Sequence, residues 1–286
     1  MRPDLAANLS PALLQLIDEE PPCVDAVKVS EFGDPEYVDE CRRLAPRKRL
    51  VFHGICQMTD WGRVRAPSIG NPGFRESIDL SALQAALDIA HPDYISVHLE
   101  LIGDTIDPEQ YLSLLASDAD FTRTLTGLPV HLENTYLLHG QERRHDTDFV
   151  SDPMFIRRAL SVTGSRFLLD VAHAQVAAWH KGLPVLEYLD ALPPDLVDEV
   201  HVCAPAMVNG QLRDRHVEMS DTEYRLLEHV LTRCSVKTVS LEYGGFGPLF
   251  QGKSSLGVLK EQLVTLAGIL NGVSGYRIVG NASLGG

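Results

Sequence analysis

The chain has little cysteine and no close pairing of what it has. Cys23, Cys41, Cys56, Cys203 and Cys234 are odd in number and form no Cys-x-x-Cys pair, so a disulfide framework is excluded and each is expected to be a reduced, small buried hydrophobe. Long apolar runs are also missing. No stretch approaches the roughly 20 apolar residues of a membrane span. The N-terminal run MRPDLAANLSPALLQLIDEE places acids where a secretory signal needs a basic flank and an apolar stretch. The expectation is a cytoplasmic protein with no membrane partner. Positive charge is scarce as well: 25 Lys and Arg face 39 Asp and Glu, a formal charge of -14. Such a chain repels a polyanion unless basic residues cluster, which disfavours nucleic acid as a partner. Only two such clusters stand out, RRLAPRK from Arg42 and QERRH around Arg143.

What is present is an ordinary globular composition, 44% hydrophobic and 22% charged over 286 residues, enough for a sizeable core and unlike a disordered chain. Short β-rich runs alternate with amphipathic ones. Strands are predicted in VDAVKVSEF from Val24, RLVFHGI from Arg49, YISVHLE from Tyr94, PVHLENT from Pro129, RFLLDVAHA from Arg166, VDEVHVCAP from Val197 and TVSLEYG from Thr238. Most precede a segment with the 3.6-residue period of a helix. Asp107 before Pro108 and Asp152 before Pro153 supply N-caps followed by a proline at the first helical position. Ser220 with Glu223 spells a capping box.

Repeated β-then-α units argue for parallel strands with crossover helices. A TIM-type (β/α)8 barrel, one domain over residues 1–286, is the reading, although length alone permits two domains. A doubly wound open sheet is the alternative, but the Gly-rich turn it normally carries after an early strand is missing. Seven strands are legible and the eighth is not: YRIVG near the C-terminus is short, and the segment before Val24 reads as helix.

Ionisable residues fall at the C-terminal ends of successive predicted strands. They are His53, His98, Glu133, Asp170 with His173, His201 and Glu242; the loop after the sixth strand adds Asp214 and His216. In a barrel these ends share one rim, where active sites of this fold lie. Four carboxylates in one cleft raise each other's pKa unless cations sit between them. Imidazole with carboxylate and no obligatory thiolate suits iron, zinc or manganese. Nine donors exceed one ion's shell, so two or three ions are expected, with Glu133 or Glu242 bridging. Asn134, Tyr136 and Tyr243 adjoin ligands and are expected to orient them. His91, His131, His139, His145, His180 and His229 are assigned structural roles, with His131 the least secure because it alternates with Glu133. The strand ends carry no lysine of the kind a phosphoester or sugar enzyme would use.

The order His, His, Glu, Asp-x-x-His, His, Asp-x-His, Glu resembles the metal set of xylose-isomerase-like barrels, including apurinic endonucleases with three zinc ions. The segments FHGI, DYISVHLELIG, HLENTY, FLLDVAHA, VHVCAP leading to DRHVEMSDTEYRLLEHVL, and LEYGG are closer to the DUF692 family, the multinuclear non-heme iron-dependent oxidases. Together they cover the chain from about Arg49 to Gly245. Three departures leave metal and substrate open: FHGICQMTDWG replaces a His-Ser run with glycines, ENTYL replaces Glu-Asn-Pro-Ser-Ser-Tyr, and His173 stands where many members have Asn.

The resemblance implies two to three iron ions of mixed valence that use dioxygen to remodel a side chain, often Cys, of a ribosomally synthesised precursor peptide, commonly delivered by a separate partner protein. Two alternatives use the same ligands: a zinc- or manganese-dependent hydrolase or isomerase, and a metal-holding binding or maturation protein without turnover. The charge favours the peptide enzyme over the endonuclease, because phosphate binding needs several Lys or Arg contacts.

Overall fold

The computed structural model describes residues 2–19, 24–30, 32–58, 66–101, 106–136, 149–246 and 254–272. Its centre is an eight-stranded parallel sheet. In chain order the elements are β1 (Asp4–Asn8), α1 (Pro11–Glu19), β2 (Ala26–Val29), α2 (Pro35–Leu44), β3 (Arg49–Phe52), α3 (Leu80–Ala90), β4 (Ile95–His98), α4 (Pro108–Thr126) and β5 (Val130–Glu133). There follow α5 (Pro153–Thr163), β6 (Arg166–Asp170), α6 (Val171–Lys181), α7 (Val185–Ala191), β7 (Val197–Val202), β8 (Ala204–Val208), β9 (Gln211–Val217), α8 (Asp221–Arg233), β10 (Thr238–Leu241) and α9 (Leu256–Leu270).

The hydrogen-bonded order is β3-β2-β1-β10-β7-β6-β5-β4, so each large-sheet strand pairs with its neighbour in sequence except β3 with β4, and the first pairs with the last. That is the strand order of a TIM barrel, the predicted fold, with its two free edges at β3 and β4. The edges meet at the C-terminal end, where the Gly54 N–H donates to the Ser96 carbonyl at 2.9 Å and His53 Nδ1 lies 2.8 Å from Ser96 Oγ.

The strands read as near-continuous apolar runs because both faces are covered, the usual state of a parallel sheet. Every residue of β5, β7 and β10 is buried. Outside them, leucines such as Leu115, Leu160, Leu227 and Leu263 are at most 1% exposed, each contributing about 2 kcal/mol by leaving water. Local chemistry sets the helix ends. Asp107 and Asp152 each accept two backbone N–H groups ahead of Pro108 and Pro153, and Ser220 with Glu223 forms the capping box.

Two expectations are corrected. The eighth barrel strand is β1, at the N-terminus, in a segment that reads as helix because it is rich in alanine; only α1 within that segment is helical. The YRIVG segment lies outside the described residues. The chain after β7 is also more than a loop: β8 and β9 pair antiparallel as a separate hairpin. Its tip is Asn209-Gly210, with φ of 51° and 74°, the paired positive φ of a type I′ turn. Below the site, Ala6, Ala26 and Val51 pack with Tyr94 as the floor of the barrel.

Candidate metal centre

All nine predicted donors converge. They fall into four groups, the first three overlapping, within each of which the donor atoms lie within 4.8 Å of one another: His53, His98 and Glu133; Glu133, Asp170 and His173; Asp170, His201 and Glu242; and Asp214 and His216 with Cys203. Glu133, 1% exposed, is the hub. Its Oε2 faces His53 Nε2 at 3.4 Å and His98 Nε2 at 3.2 Å, and its Oε1 faces Nδ1 of both His173 and His201 at 3.5 Å. Oε2 thus looks at two imidazole nitrogens and Oε1 at His201, the arrangement expected of a carboxylate shared between cations, while His173 Nδ1 is engaged by the Asn134 carbonyl at 2.8 Å. Glu242 is shared in the same way, with Oε1 3.4 Å from His201 Nδ1 and Oε2 3.7 Å from His216 Nε2.

The strands put these groups at one level. His98 and Glu133 are register partners on β4 and β5, and Asp170 and His201 are partners on β6 and β7. Asp170 also caps α6, its Oδ1 accepting the His173 N–H at 2.6 Å, which fixes the Asp-x-x-His pair. The hairpin reaches in from above. Its pairing slips between Ala204 and Pro205, where Val217 and Asp214 are the respective partners, so Arg215 and His216 bulge out of the ladder. His216 has a φ of 48°, a conformation costly for a residue with a Cβ, and the bulge aims its ring inward, Nε2 2.8 Å from Asp214 Oδ2.

Burial pushes the Asp170 carboxyl up to about 7; His173 opposes the shift, and Glu242, Glu133 and Asp214 add to it. Burial also acts against Glu133, but the imidazoles of His98 and His53 hold it well below the usual carboxylate range. Glu133 Oε2 and Asp170 Oδ2 are buried without a hydrogen-bond partner. Orphaned carboxylate oxygens among imidazole nitrogens fit divalent metal ions, which supply the missing partner and cancel the charge.

Three supporting groups were not legible in the sequence. Lys28, mid-strand on β2 and 4% exposed, enters the site, its Nζ 3.2 Å from His201 Nδ1 and paired with Glu242 Oε1. The expectation concerned strand ends only; Lys28 reaches the site from inside a strand, where a lysine reads as a surface residue. Glu199 accepts from His201 Nε2 at 3.1 Å and is also held by the Tyr94 and Ser240 hydroxyls. Cys203, expected to be only apolar filler, is buried as predicted but lies 3.5 Å from Asp214 Oδ1. Burial and the neighbouring carboxylates push its thiol well up.

Of the three residues expected to orient ligands, Asn134 bridges strands: its Nδ2 donates to the Asp170 carbonyl at 2.9 Å, its Oδ1 accepts the Asp170 N–H at 2.8 Å, and its carbonyl lies 2.8 Å from His173 Nδ1. Tyr136 packs its ring 5.0 Å from that of His173. Tyr243 turns into the core, its hydroxyl accepting the Ser255 N–H at 3.2 Å. Among the histidines assigned structural roles, His131 stacks on Tyr94 at 3.8 Å in the barrel floor, His91 ends α3, His180 packs on Trp179 and His229 bonds Asp190 at 2.7 Å. His139, His145, Cys23 and the basic cluster around Arg143 lie outside the described residues.

Above the donors opens a cavity of about 280 Å³, walled by Asn8, Ser30, Tyr37, Tyr136 and Phe246 and floored by the donors themselves. No described helix is long and apolar enough to cross a membrane.

Solved structures with this architecture include a D-tagatose 3-epimerase-like protein (TM-score 0.60, 15% identity, 95% of this chain and 100% of that one). Another is the IolI protein with a bound zinc atom (TM-score 0.59, 12% identity, 94% and 98%). A xylose isomerase domain protein of Salmonella typhimurium scores 0.58 at 13% identity, over 94% and 97%. At these identities the likeness concerns the fold, a xylose-isomerase-like TIM barrel. Among sequence relatives, a UPF0276 protein of Rhizobium meliloti is 28% identical over 190 residues, 62% of this chain and 53% of that protein. One of Vibrio parahaemolyticus is 24% identical over 195 residues, 62% and 65%, and one of Chromobacterium violaceum is 25% identical over 216 residues, 71% and 72%. The match therefore spans between about half and two thirds of the length of the first two relatives. The family described as "RiPP precursor modification enzyme MbnB/TglH/ChrH", which acts on ribosomally made peptides by that description, matches residues 68–251. With more than half of its length matched, this chain belongs to the MbnB/TglH/ChrH family of RiPP precursor modification enzymes.

Proposed function

We propose that the chain is a multinuclear non-heme iron-dependent oxidase that uses dioxygen to modify a side chain, a cysteine, of a ribosomally synthesised precursor peptide. Its ligands are His53, His98, Glu133, Asp170, His173, His201, Asp214, His216 and Glu242, holding two to three iron ions. The observation that carries the reading is Glu133, buried and shared between two pairs of imidazoles, in a chain of a peptide-modifying family. Iron, when bound, supplies the electrons that dioxygen takes up and open positions for a substrate group.

The protein's part is to orient the donors. Glu199 keeps the proton of His201 on Nε2, leaving the Nδ1 lone pair toward the centre. The Asn134 carbonyl does the same for His173 by accepting from Nδ1, which turns Nε2 toward Asp214. The cavity of about 280 Å³ has room for one side chain and a short stretch of backbone, so an extended peptide suits it better than a folded protein. A separate protein that presents the peptide completes the proposal.

Anaerobically purified protein is expected to hold about two or three irons per chain by analogy with the ligand count, to have an oxygen-sensitive visible spectrum, and to consume oxygen when given the peptide encoded beside it. Stoichiometric zinc with phosphodiesterase activity would sink the reading; bound metal with no oxygen uptake would mark a metal-holding protein instead. Lys28 is the one observation that favours a zinc or manganese hydrolase or isomerase. Its ammonium lines the cavity but is turned onto His201 and Glu242, committed to the donors.

A further inference from the structure

Lys28 has no part in the ligand set, yet it sits on donor atoms that a metal ion would need. Its Nζ lies 3.2 Å from His201 Nδ1 and pairs with Glu242 Oε1. Those two acceptors are 3.4 Å apart, and with Asp170 they make up one of the four donor groups. Glu199 sets the tautomer that matters: with the His201 proton held on Nε2, Nδ1 presents a lone pair, which either an ammonium or a metal ion can take but not both. We propose that the Lys28 ammonium fills one cation position of the centre, between His201 and Glu242, so that this chain holds two metal ions and not three. The inference rests on the metal-centre reading above.

Charge supports the count. Five buried carboxylates surround the site, Glu133, Asp170, Glu199, Asp214 and Glu242, of which all but Asp214 are at most 6% exposed. One ammonium leaves four negative charges, which two divalent ions neutralise. A third ion beside the ammonium would leave an excess positive charge among these buried groups. The lysine is also held in place. All four residues of β2 are buried, Lys28 is flanked in register by Asn8 and Val51, and its Nζ is held by His201 and Glu242.

The test counts ions. Full-length wild type, Lys28→Ala, Lys28→Leu and Lys28→Arg are loaded anaerobically with excess ferrous iron, and in parallel with zinc, then desalted and analysed for metal per chain. Circular dichroism checks the fold, and cobalt titration followed by its visible bands gives an independent end point. The expected result is two ions in wild type and in Lys28→Arg, and one more in Lys28→Ala or Lys28→Leu. Three ions in wild type overturn the proposal without needing any variant to fold. Equal counts in wild type and a folded neutral variant also overturn it, and in both cases the metal-centre reading stands. A chain that takes up no ion in any form overturns both.

Discussion

Glu199 and His201 lie two residues apart on β7, and Oε1 of the glutamate stands 3.1 Å from Nε2 of the imidazole. The pair is wholly buried, and Tyr94 and Ser240 hold the same carboxylate from the other side. Glu199 binds no metal in the proposed centre; it fixes which nitrogen of His201 can. Glu199→Ala is expected to weaken metal affinity by about 10–100-fold, the usual cost of losing a carboxylate behind a ligand histidine, while Glu199→Gln, which retains an acceptor, loses less. Competition titration with a chromogenic chelator measures both. An unchanged affinity in Glu199→Ala would remove Glu199 from the centre.

Glu133 faces four imidazoles, and His53 only one edge of the cluster. Glu133→Ala is therefore expected to release more than one ion per chain, and His53→Ala no more than one. Metal analysis after desalting distinguishes them; equal losses would argue against a shared carboxylate.

Removing metal should destabilise the fold, because buried carboxylates would then face each other with Lys28 as the main fixed cation. Each ion present at 1,000 times its dissociation constant adds about 4 kcal/mol. Chelation is expected to lower Tm by several degrees, and iron or zinc to restore it. A Tm indifferent to chelator would contradict a metal centre.

The hairpin offers a more selective break. Gly210→Val forces a β-branched residue into φ of 74°, a cost of about 1–2 kcal/mol, and disturbs the strand that carries Asp214 and His216. Since β8 and β9 form their own two-stranded sheet, the Tm of the metal-free barrel should change little while metal content falls. Gly210→Asn, tolerant of that conformation, should retain its metal. Direct removal through Asp214→Ala and His216→Ala must lower metal content too; full retention in both would place the hairpin outside the centre.

The barrel was legible because most of its strands are short, largely apolar runs with an ionisable residue at or just after the end. The donors share a rim for the same reason, so their order along the chain is their order around the site. What escaped has physical causes. β1 is short and alanine-rich, and alanine is a strong helix former; only pairing with β2 and β10 makes it a strand. Asn209-Gly210 is a hairpin signal in its own right, but it falls within a chain of β-then-α repeats where a loop was the simpler expectation. Lys28 and Glu199 lie within strands, not at their ends, and one sequence does not show that a mid-strand charge points at other charges. Cys203 follows a strand as a small apolar residue would, and its neighbour Asp214 arrives only through the hairpin.

The two free edges of the sheet, β3 and β4, touch through Gly54 and Ser96, and the first two histidines of the set come from these edges: His53 just after β3 and His98 at the end of β4. An ion gripped by both is a clasp across the seam. Loading the centre and locking the barrel into a closed ring would then be one event, and a metal-free chain should open first along that line, with hydrogen exchange fastest in β3 and β4.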